Sequence, residues 1–314
     1  MTTAMPWADL RAGTVAVYGA PPRELVGVPP GADQLSPLVP GSHAIEDIGD
    51  ATLSGMVIAA PPGTLERRYV LAQAMRALAP GAPLVALAPK DKGGARLRAE
   101  IEGFGATAEG ESRRHHRIVL TRRPDAPEGV AAAIAAGAAR YDADLGMWTQ
   151  PGVFSWDRID AGSALLARHL PPLEGRGADL GCGTGYLARV ALAASAGIAE
   201  LRLVDLDRRA VDCARRNVAD ARARFDWADV RALAFADAGI DFVLMNPPFH
   251  DGGAEDRALG LAFLRRAAEH LSRGGKCLMV ANRHLPYEAE LRQRFGSVRL
   301  LAQEGGYKVC EATR

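Results

Sequence analysis

The sequence predicts an α/β protein of two domains, each built round a mostly parallel sheet. The chain has 314 residues, enough for about two domains of roughly 150 residues each. Short apolar runs alternate with amphipathic helical patterns, and they do so twice along the chain, as strands joined by helical crossovers would. Between the two series stands PDAPEG, Pro124 to Gly129, a break that neither strand nor helix tolerates well. The domains expected from it are 1–127 and 128–314.

In the first series, TVAVYGA (Thr14 to Ala20) and GMVIAA (Gly55 to Ala60) predict buried strands. LERRYVLAQAMRALAPG (Leu65 to Gly81) has helical periodicity and a Pro-Gly stop. APLVALAP (Ala82 to Pro89) predicts a strand, ARLRAEIEGFG (Ala95 to Gly105) a helix closed by glycine, and RIVLTRR (Arg117 to Arg123) a last strand. After the break an alanine-rich helix leads into MWTQPGVFSWDRIDAGS (Met147 to Ser163). The second series then supplies strands in ADLGCG, LRLVDLD, ARFDWADV, DFVLMNPP and KCLMVAN. Two such series in one chain are what a duplication would leave.

Composition excludes several classes. With 48% hydrophobic and 24% charged residues the chain can bury sizeable cores. A net charge of +1 gives no global field toward nucleic acid, so any basic surface is local. Cys182, Cys213, Cys277 and Cys310 lie far apart without a C-x-x-C pair, against a disulfide framework or a zinc or iron–sulfur site. MTTAMPWADLRAG has no apolar signal region, and no run reaches the length of a membrane span. A cytoplasmic protein with reduced thiols, no metal and no membrane partner is expected.

The chemistry begins at ADLGCGTGYLARVAL, Ala178 to Leu192. A strand enters a G-x-G-x-G turn that opens a helix. Gly181, Gly183 and Gly185 let the backbone turn tightly and let a ligand approach without a Cβ in the way. About 20 residues on, LVDLD ends a second strand at Asp205, where an acid can accept from both hydroxyls of a ribose. The spacing is not the G-x-G-x-x-G of a pyrophosphate site, and Asp179 before the first glycine suits an ammonium better than a phosphate. S-adenosyl-L-methionine has a ribose, an ammonium and no phosphate, and fits best. Asp229, ending the third strand in FDWADV, is placed to meet the adenine amine.

The fourth strand ends in DFVLMNPPFHDGG, Asp241 to Gly253. Asn246 precedes proline and is pushed to an extended backbone; Pro247 and Pro248 have no N–H to offer. The corner thus presents oxygens, the Asn246 side-chain carbonyl and the Pro247 carbonyl, beside the ring of Phe249. Two acceptors that hold an exocyclic amine favour a pyramidal nitrogen, and an aromatic face stacks the base, worth about 1–3 kcal/mol. Catalysis by positioning and fixed dipoles needs no strong general base, although His250 or Asp251 would be at hand to collect the proton.

Together D-x-G-C-G-x-G, the acidic strand end and N-P-P-F resemble class I S-adenosylmethionine methyltransferases acting on exocyclic amines. The longer stretches PGVFSWDRIDAGS, NPPFHDG, VANRHLPY and GGYKVCEATR resemble the small-subunit (16S) ribosomal RNA guanine-N2 methyltransferase family, clearly over 145–314 and faintly before. The resemblance implies two Rossmann-like methyltransferase domains in tandem, the N-terminal one degenerate and serving RNA docking or support. It implies cofactor binding by Asp179, Gly181, Gly183, Gly185, Asp205, Asp229 and Asn246, and an amine site of Asn246, Pro247 and Phe249. Phe154, Ser155 and Pro248 would meet substrate, and Tyr287 and Lys308 the RNA side or the core. The expected partner is ribosomal RNA or the small ribosomal subunit, bound by a monomer. In the first domain VYGAPP (Val17 to Pro22) replaces a glycine-rich turn, so no cofactor is expected there. The basic runs RRHHR (Arg113 to Arg117), Arg122 with Arg123, and KDKGGARLR (Lys90 to Arg98) are either phosphate contacts or a solvated face. His115 and His116 lack the partners of a metal site. A large-subunit RNA methyltransferase, a protein glutamine methyltransferase and a non-catalytic RNA-binding assembly factor are the alternatives.

Overall fold

Alternation of buried strands and helices builds two large sheets, beside two two-stranded ones, in the computed structural model, which describes residues 14–233, 239–248, 250–251, 254–255 and 257–314, with backbone alone at 250, 251, 254, 255 and 257. Two compact units divide at Ala138 and Ala139.

In the first unit the elements run β1 (Val15–Tyr18), β2 (Asp33–Gln34), β3 (Gly55–Ala59), α1 (Thr64–Ala77), β4 (Pro83–Pro89), α2 (Ala95–Glu102), β5 (Ala108–Arg113), β6 (His116–Arg122) and α3 (Val130–Gly137). The sheet order is β2-β1-β3-β4-β6-β5. The first four strands are parallel; β6 runs antiparallel to β4 and to β5. Strand β5 was not expected, because AEGESR has no apolar alternation: it is an edge strand, exposed or half-buried at every residue after the first. The Arg114–His115 turn joining β5 to β6 has both residues at positive φ, 45° and 62°, the mirror turn that matches strand twist.

The unit boundary falls later than the expected 127/128. Helix α3 packs on α1, and its Gly137 lies so close to Tyr69 that a Cβ there would come 2.3 Å from the Tyr69 Cβ. The alanine-rich helix therefore completes the first core instead of opening the second. Part of the basic sequence also serves this fold. Arg113 donates to the Glu24 and Leu25 carbonyls, Arg122 to Gly81 and Arg123 to Met75.

The second unit contains β7 (Arg140–Asp142), β8 (Met147–Thr149), α4 (Ala161–Arg168), β9 (Gly175–Leu180), α5 (Tyr186–Ala194), β10 (Ile198–Asp205), α6 (Arg208–Asn217), β11 (Ala223–Trp227), β12 (Ile240–Met245), β13 (His250–Asp251), β14 (Ala254–Glu255), α7 (Arg257–His270), β15 (Leu271–Asn282), α8 (Glu288–Arg294), β16 (Ser297–Glu304) and β17 (Tyr307–Thr313). Its sheet order is β11-β10-β9-β12-β15-β17-β16, with β17 alone antiparallel to both its neighbours. The pair β16 and β17 was not expected as strands. Alternate residues fill the two faces: Val204, Val243 and Met245 on one, Leu203, Phe242 and Leu244 on the other. Period two is what a sheet covered on both sides requires. All four cysteines are buried and unbridged.

Register sets the site. Leu180 of β9 stands beside Val204 of β10 and Met245 of β12. The next residues of the three chains are Gly181, Asp205 and Asn246, so the three expected motifs meet side by side at the carboxyl ends of adjacent parallel strands, where folds of this kind bind ligands.

Candidate active site

The glycine turn is built from different needs at each glycine. Gly181, Gly183 and Gly185 have φ of 73°, 53° and 85°, values that disfavour any side chain. A Cβ at Gly181 would meet the Phe263 ring at 3.3 Å, and one at Gly185 would meet Val218 and Ala214 at 3.0 and 3.1 Å. At Gly183 a Cβ would meet nothing within 4 Å. Gly183 is thus the open position, on the wall of the cavity described below, whereas Gly185 serves the packing of α5 on α6.

Asp205 is tied to that turn. Its Oδ2 accepts from the Gly183 N–H at 2.8 Å and its Oδ1 from the Asp207 N–H at 2.9 Å. Burial pushes its carboxyl up to about 6, against the lowering effect of these amides. Asp179 is 0% exposed, and its carboxylate has only a weak approach from the Ala188 backbone N–H, outside good hydrogen-bond geometry. Burial first, and the Asp205 charge next, push it up to about 7. A buried carboxylate so weakly hydrogen-bonded is costly. Asp229 behaves otherwise. It caps a short turn by accepting from the Arg231 N–H at 2.8 Å and pairs with the Arg231 guanidinium at 2.7 Å, which lowers its pKa. Its acceptors therefore already have a partner within the chain.

A cavity at this rim is lined by Phe154, Ser155, Asp160, Ser163, Gly181, Gly183, Tyr186 and Asn246 among others. Of the residues expected there, it brings together Phe154, Ser155, Gly181, Gly183 and Asn246. Asp179, Gly185, Asp205, Asp229, Pro247 and Pro248 are not on its wall; Pro247 is buried beside it in sequence and Pro248 half-buried. Phe249 and Gly252 lie outside the described residues, as do the side chains of His250 and Asp251. Phe154 is 60% exposed. Ser155 sits at φ 53°. Their loop is anchored by the Thr149 hydroxyl donating to the Trp156 carbonyl at 2.6 Å. Asn217 ties β8 to the glycine turn: it accepts from Trp148 N–H at 2.6 Å and donates to the Trp148 and Thr184 carbonyls.

Asn246 is held by two groups that sequence reading did not single out. Its Nδ2 donates to Asp160 Oδ2 at 2.7 Å and to Ser163 Oγ at 2.9 Å. Asp160 is the N-cap of α4, accepting from the Ser163 N–H at 2.7 Å. The only signal in the sequence was the D-x-x-S start of that helix. Tyr287 and Lys308 belong to the packing: Tyr287 is 1% exposed, and the buried Lys308 ammonium donates to the Leu285 carbonyl and to Glu288. Among the described residues no group of three or more His, Cys, Asp or Glu converges on a metal, and no helix is long and apolar enough to cross a membrane.

The strand order, the open glycine, the buried acid and the rim acid fit S-adenosylmethionine, and they define a class I S-adenosylmethionine-dependent methyltransferase. The Methyltransferase small domain family matches residues 144–311. A ribosomal RNA small subunit methyltransferase C of Stutzerimonas stutzeri is 30% identical over 98% of this chain and 96% of that protein. The protein of the same name from Cronobacter sakazakii is 39% identical over 54% of this chain and 49% of its own length. Among solved structures, the T. thermophilus 16S rRNA N2 G1207 methyltransferase, in complex with AdoMet and guanosine, matches with a TM-score of 0.79 at 26% identity over 97% of this chain and 89% of that one. The chain belongs to the ribosomal RNA small subunit methyltransferase C family.

Proposed function

We propose that this enzyme methylates the exocyclic N2 amine of a guanine in small-subunit ribosomal RNA. The observation that carries the reading is the row Gly181, Asp205, Asn246, fixed by the register of three adjacent strands. One end of the row suits a nucleoside and the other an amine.

Bound S-adenosylmethionine would supply a methyl on a sulfonium, a group that a neutral amine can displace. Asp205 would hold the ribose hydroxyls, Gly183 would let the ligand backbone approach, and Asp179 would face its ammonium from below. Asn246 would offer Oδ1 to an amine hydrogen, because its N–H₂ edge is committed to Asp160 and Ser163. The Pro247 carbonyl would be the second acceptor and Phe249 the stacking face. Phe154 and Ser155, with Pro248, would meet the base. Asn246 acts by orientation of a fixed dipole, and the target base must leave its stack to reach it.

The likeness to ribosomal RNA small subunit methyltransferases favours small-subunit RNA over large-subunit RNA or a protein glutamine. We place the enzyme in the cytoplasm, with ribosomal RNA or the small subunit as partner, acting as a monomer. The first unit is read as a degenerate copy that docks RNA or supports the second. The test is methyl transfer by the purified protein to unmodified small subunits and to their free RNA, followed by nuclease digestion and mass mapping. A single N2-methylguanosine is expected; a label on large-subunit RNA, on protein, or nowhere would overturn the reading.

A further inference from the structure

We propose that Asp160, with Ser163, is a positioning pair that sets both the direction and the acceptor strength of the Asn246 carboxamide. The inference rests on the methyl-transfer reading above and deepens it.

A side-chain amide can turn about its last bond and exchange its N–H₂ and C=O edges, so its neighbours decide which edge faces a ligand. An ionised carboxylate only accepts. Asp160 Oδ2 lies 2.7 Å from one terminal atom of Asn246, so that atom must be the nitrogen. Ser163 Oγ, at 2.9 Å, takes a second N–H contact on the same edge. Among the described residues Oδ1 takes no hydrogen bond, and Asn246 lies on the cavity wall. The amide is thereby locked with its acceptor edge turned away from Asp160 and Ser163.

Asp160 is itself immobilised. Its Oδ2 also accepts the Ser163 N–H at 2.7 Å as the helix cap. Across the first turn of α4, Gly162 has no room for a side chain: a Cβ would lie 2.9 Å from the Tyr307 ring and 3.1 Å from Asp160 Oδ2. One oxygen, held by the helix start and walled by Tyr307, therefore points at the catalytic amide from a separate element of the fold.

The charge adds strength to the direction. A hydrogen bond to a carboxylate is shorter and roughly twice as strong as one to a neutral acceptor. Drawing on an amide N–H shifts electron density toward the carbonyl, as linked hydrogen bonds polarise one another. Asp160 thus makes Oδ1 a better acceptor for an amine that gains positive charge as it is methylated. Sequence alone hides this, because a D-x-x-S helix start is explained by capping.

Capping also supplies the clean variant. Asparagine caps a helix about as well as aspartate, so D160N keeps the helix start and an acceptor for Asn246 but removes the charge. D160N is expected to lower kcat about tenfold, and S163A about threefold, the first figure reflecting exchange of a charged for a neutral acceptor. The KM for the methyl donor and the affinity for S-adenosylhomocysteine should stay within about twofold. A second readout needs no activity. In ¹⁵N-labelled protein without ligands, the carboxamide signals of Asn246, assigned by their loss in N246A, should exchange with water faster in D160N and S163A. A role confined to helix capping would leave both kcat and those signals unchanged in D160N, and that result overturns the proposal. If N246A keeps full turnover, the reading of the site fails and the assignment of Asp160 falls with it. If N246A is inactive while D160N turns over like wild type, only the assignment falls.

Discussion

The rims of the two units carry the same plan with opposite outcomes. In the second, β10 ends in Asp205, which accepts from an amide of the glycine turn and from the N–H two residues on. In the first, Gln34 at the end of β2 does the same, accepting from Gly19 N–H at 3.2 Å and from Ser36 N–H at 2.9 Å. It also donates back to the Gly19 carbonyl at 2.9 Å, so its amide is spent on the turn. Strand β12 leaves its sheet through Asn246-Pro247-Pro248, and β3 leaves through Ala60-Pro61-Pro62. There the asparagine is missing and the corner is filled from within. Arg67, 1% exposed, donates to the Pro61 and Pro62 carbonyls at 3.1 and 2.7 Å and pairs with both oxygens of Glu100. Gly93 must lack a side chain to let this guanidinium pass; a Cβ would lie 2.1 Å from it. The difference teaches that the backbone corner is only a frame. One rim satisfies its carbonyls with its own cation, while at the other the Asn246 carbonyl takes no hydrogen bond among the described residues.

That contrast can be broken first at Arg67. R67A leaves the half-buried Glu100 without its cation and the Pro61 and Pro62 carbonyls without their donor, and should cost about 3 kcal/mol in urea unfolding of the first unit. R67A should not create a methyl-donor site, since Pro21 and Pro22 offer no N–H groups; calorimetry that found two bound S-adenosylhomocysteine molecules would contradict this. Next comes N246A. Turnover should fall about 10²-fold, equivalent to about 2.7 kcal/mol, with S-adenosylhomocysteine affinity nearly unchanged. Loss of both together would mean that Asn246 only holds the fold.

The paired acceptors sharpen the comparison further. D205A should weaken S-adenosylhomocysteine binding by roughly tenfold or more, as loss of hydrogen bonds to a charged group does. Q34A should leave binding and turnover as they are. A last test concerns pH. The Asp179 carboxyl rises from its ordinary 3.8 to about 7. The folded, ligand-free protein therefore keeps a proton that the unfolded chain has lost, and this group's contribution falls as pH rises between those values. Against D179N, wild type should lose stability by up to about 1.4 kcal/mol per pH unit there, measured by urea unfolding, and a flat difference would show Asp179 already partnered.

Much of the site was legible beforehand. Gly181, Gly183, Asp205 and Asn246 each stand at the end of an apolar run, and strand ends of a parallel sheet are where such folds bind ligands. Other parts were not. AEGESR carries no alternation because β5 is an exposed edge, and β17 was hidden because its antiparallel return is decided by pairing with β15. Asp229 was expected as a third ligand acid, and its pairing with Arg231, two residues away, was not foreseen. Gly185 looked equivalent to Gly183, although it is α6 that requires it.

By itself the sequence determined what depends on neighbours along the chain: strands and helices from periodicity, turns from glycine and proline, and the chemistry of a nucleoside and an amine. Only the tertiary structure decided which groups face one another across 86 residues, as Asp160 and Asn246 do, and which carbonyls an internal arginine satisfies. Orientation of an amide and occupancy of a corner depend on distances of a few ångströms between remote segments, and such distances are set by strand register and core packing.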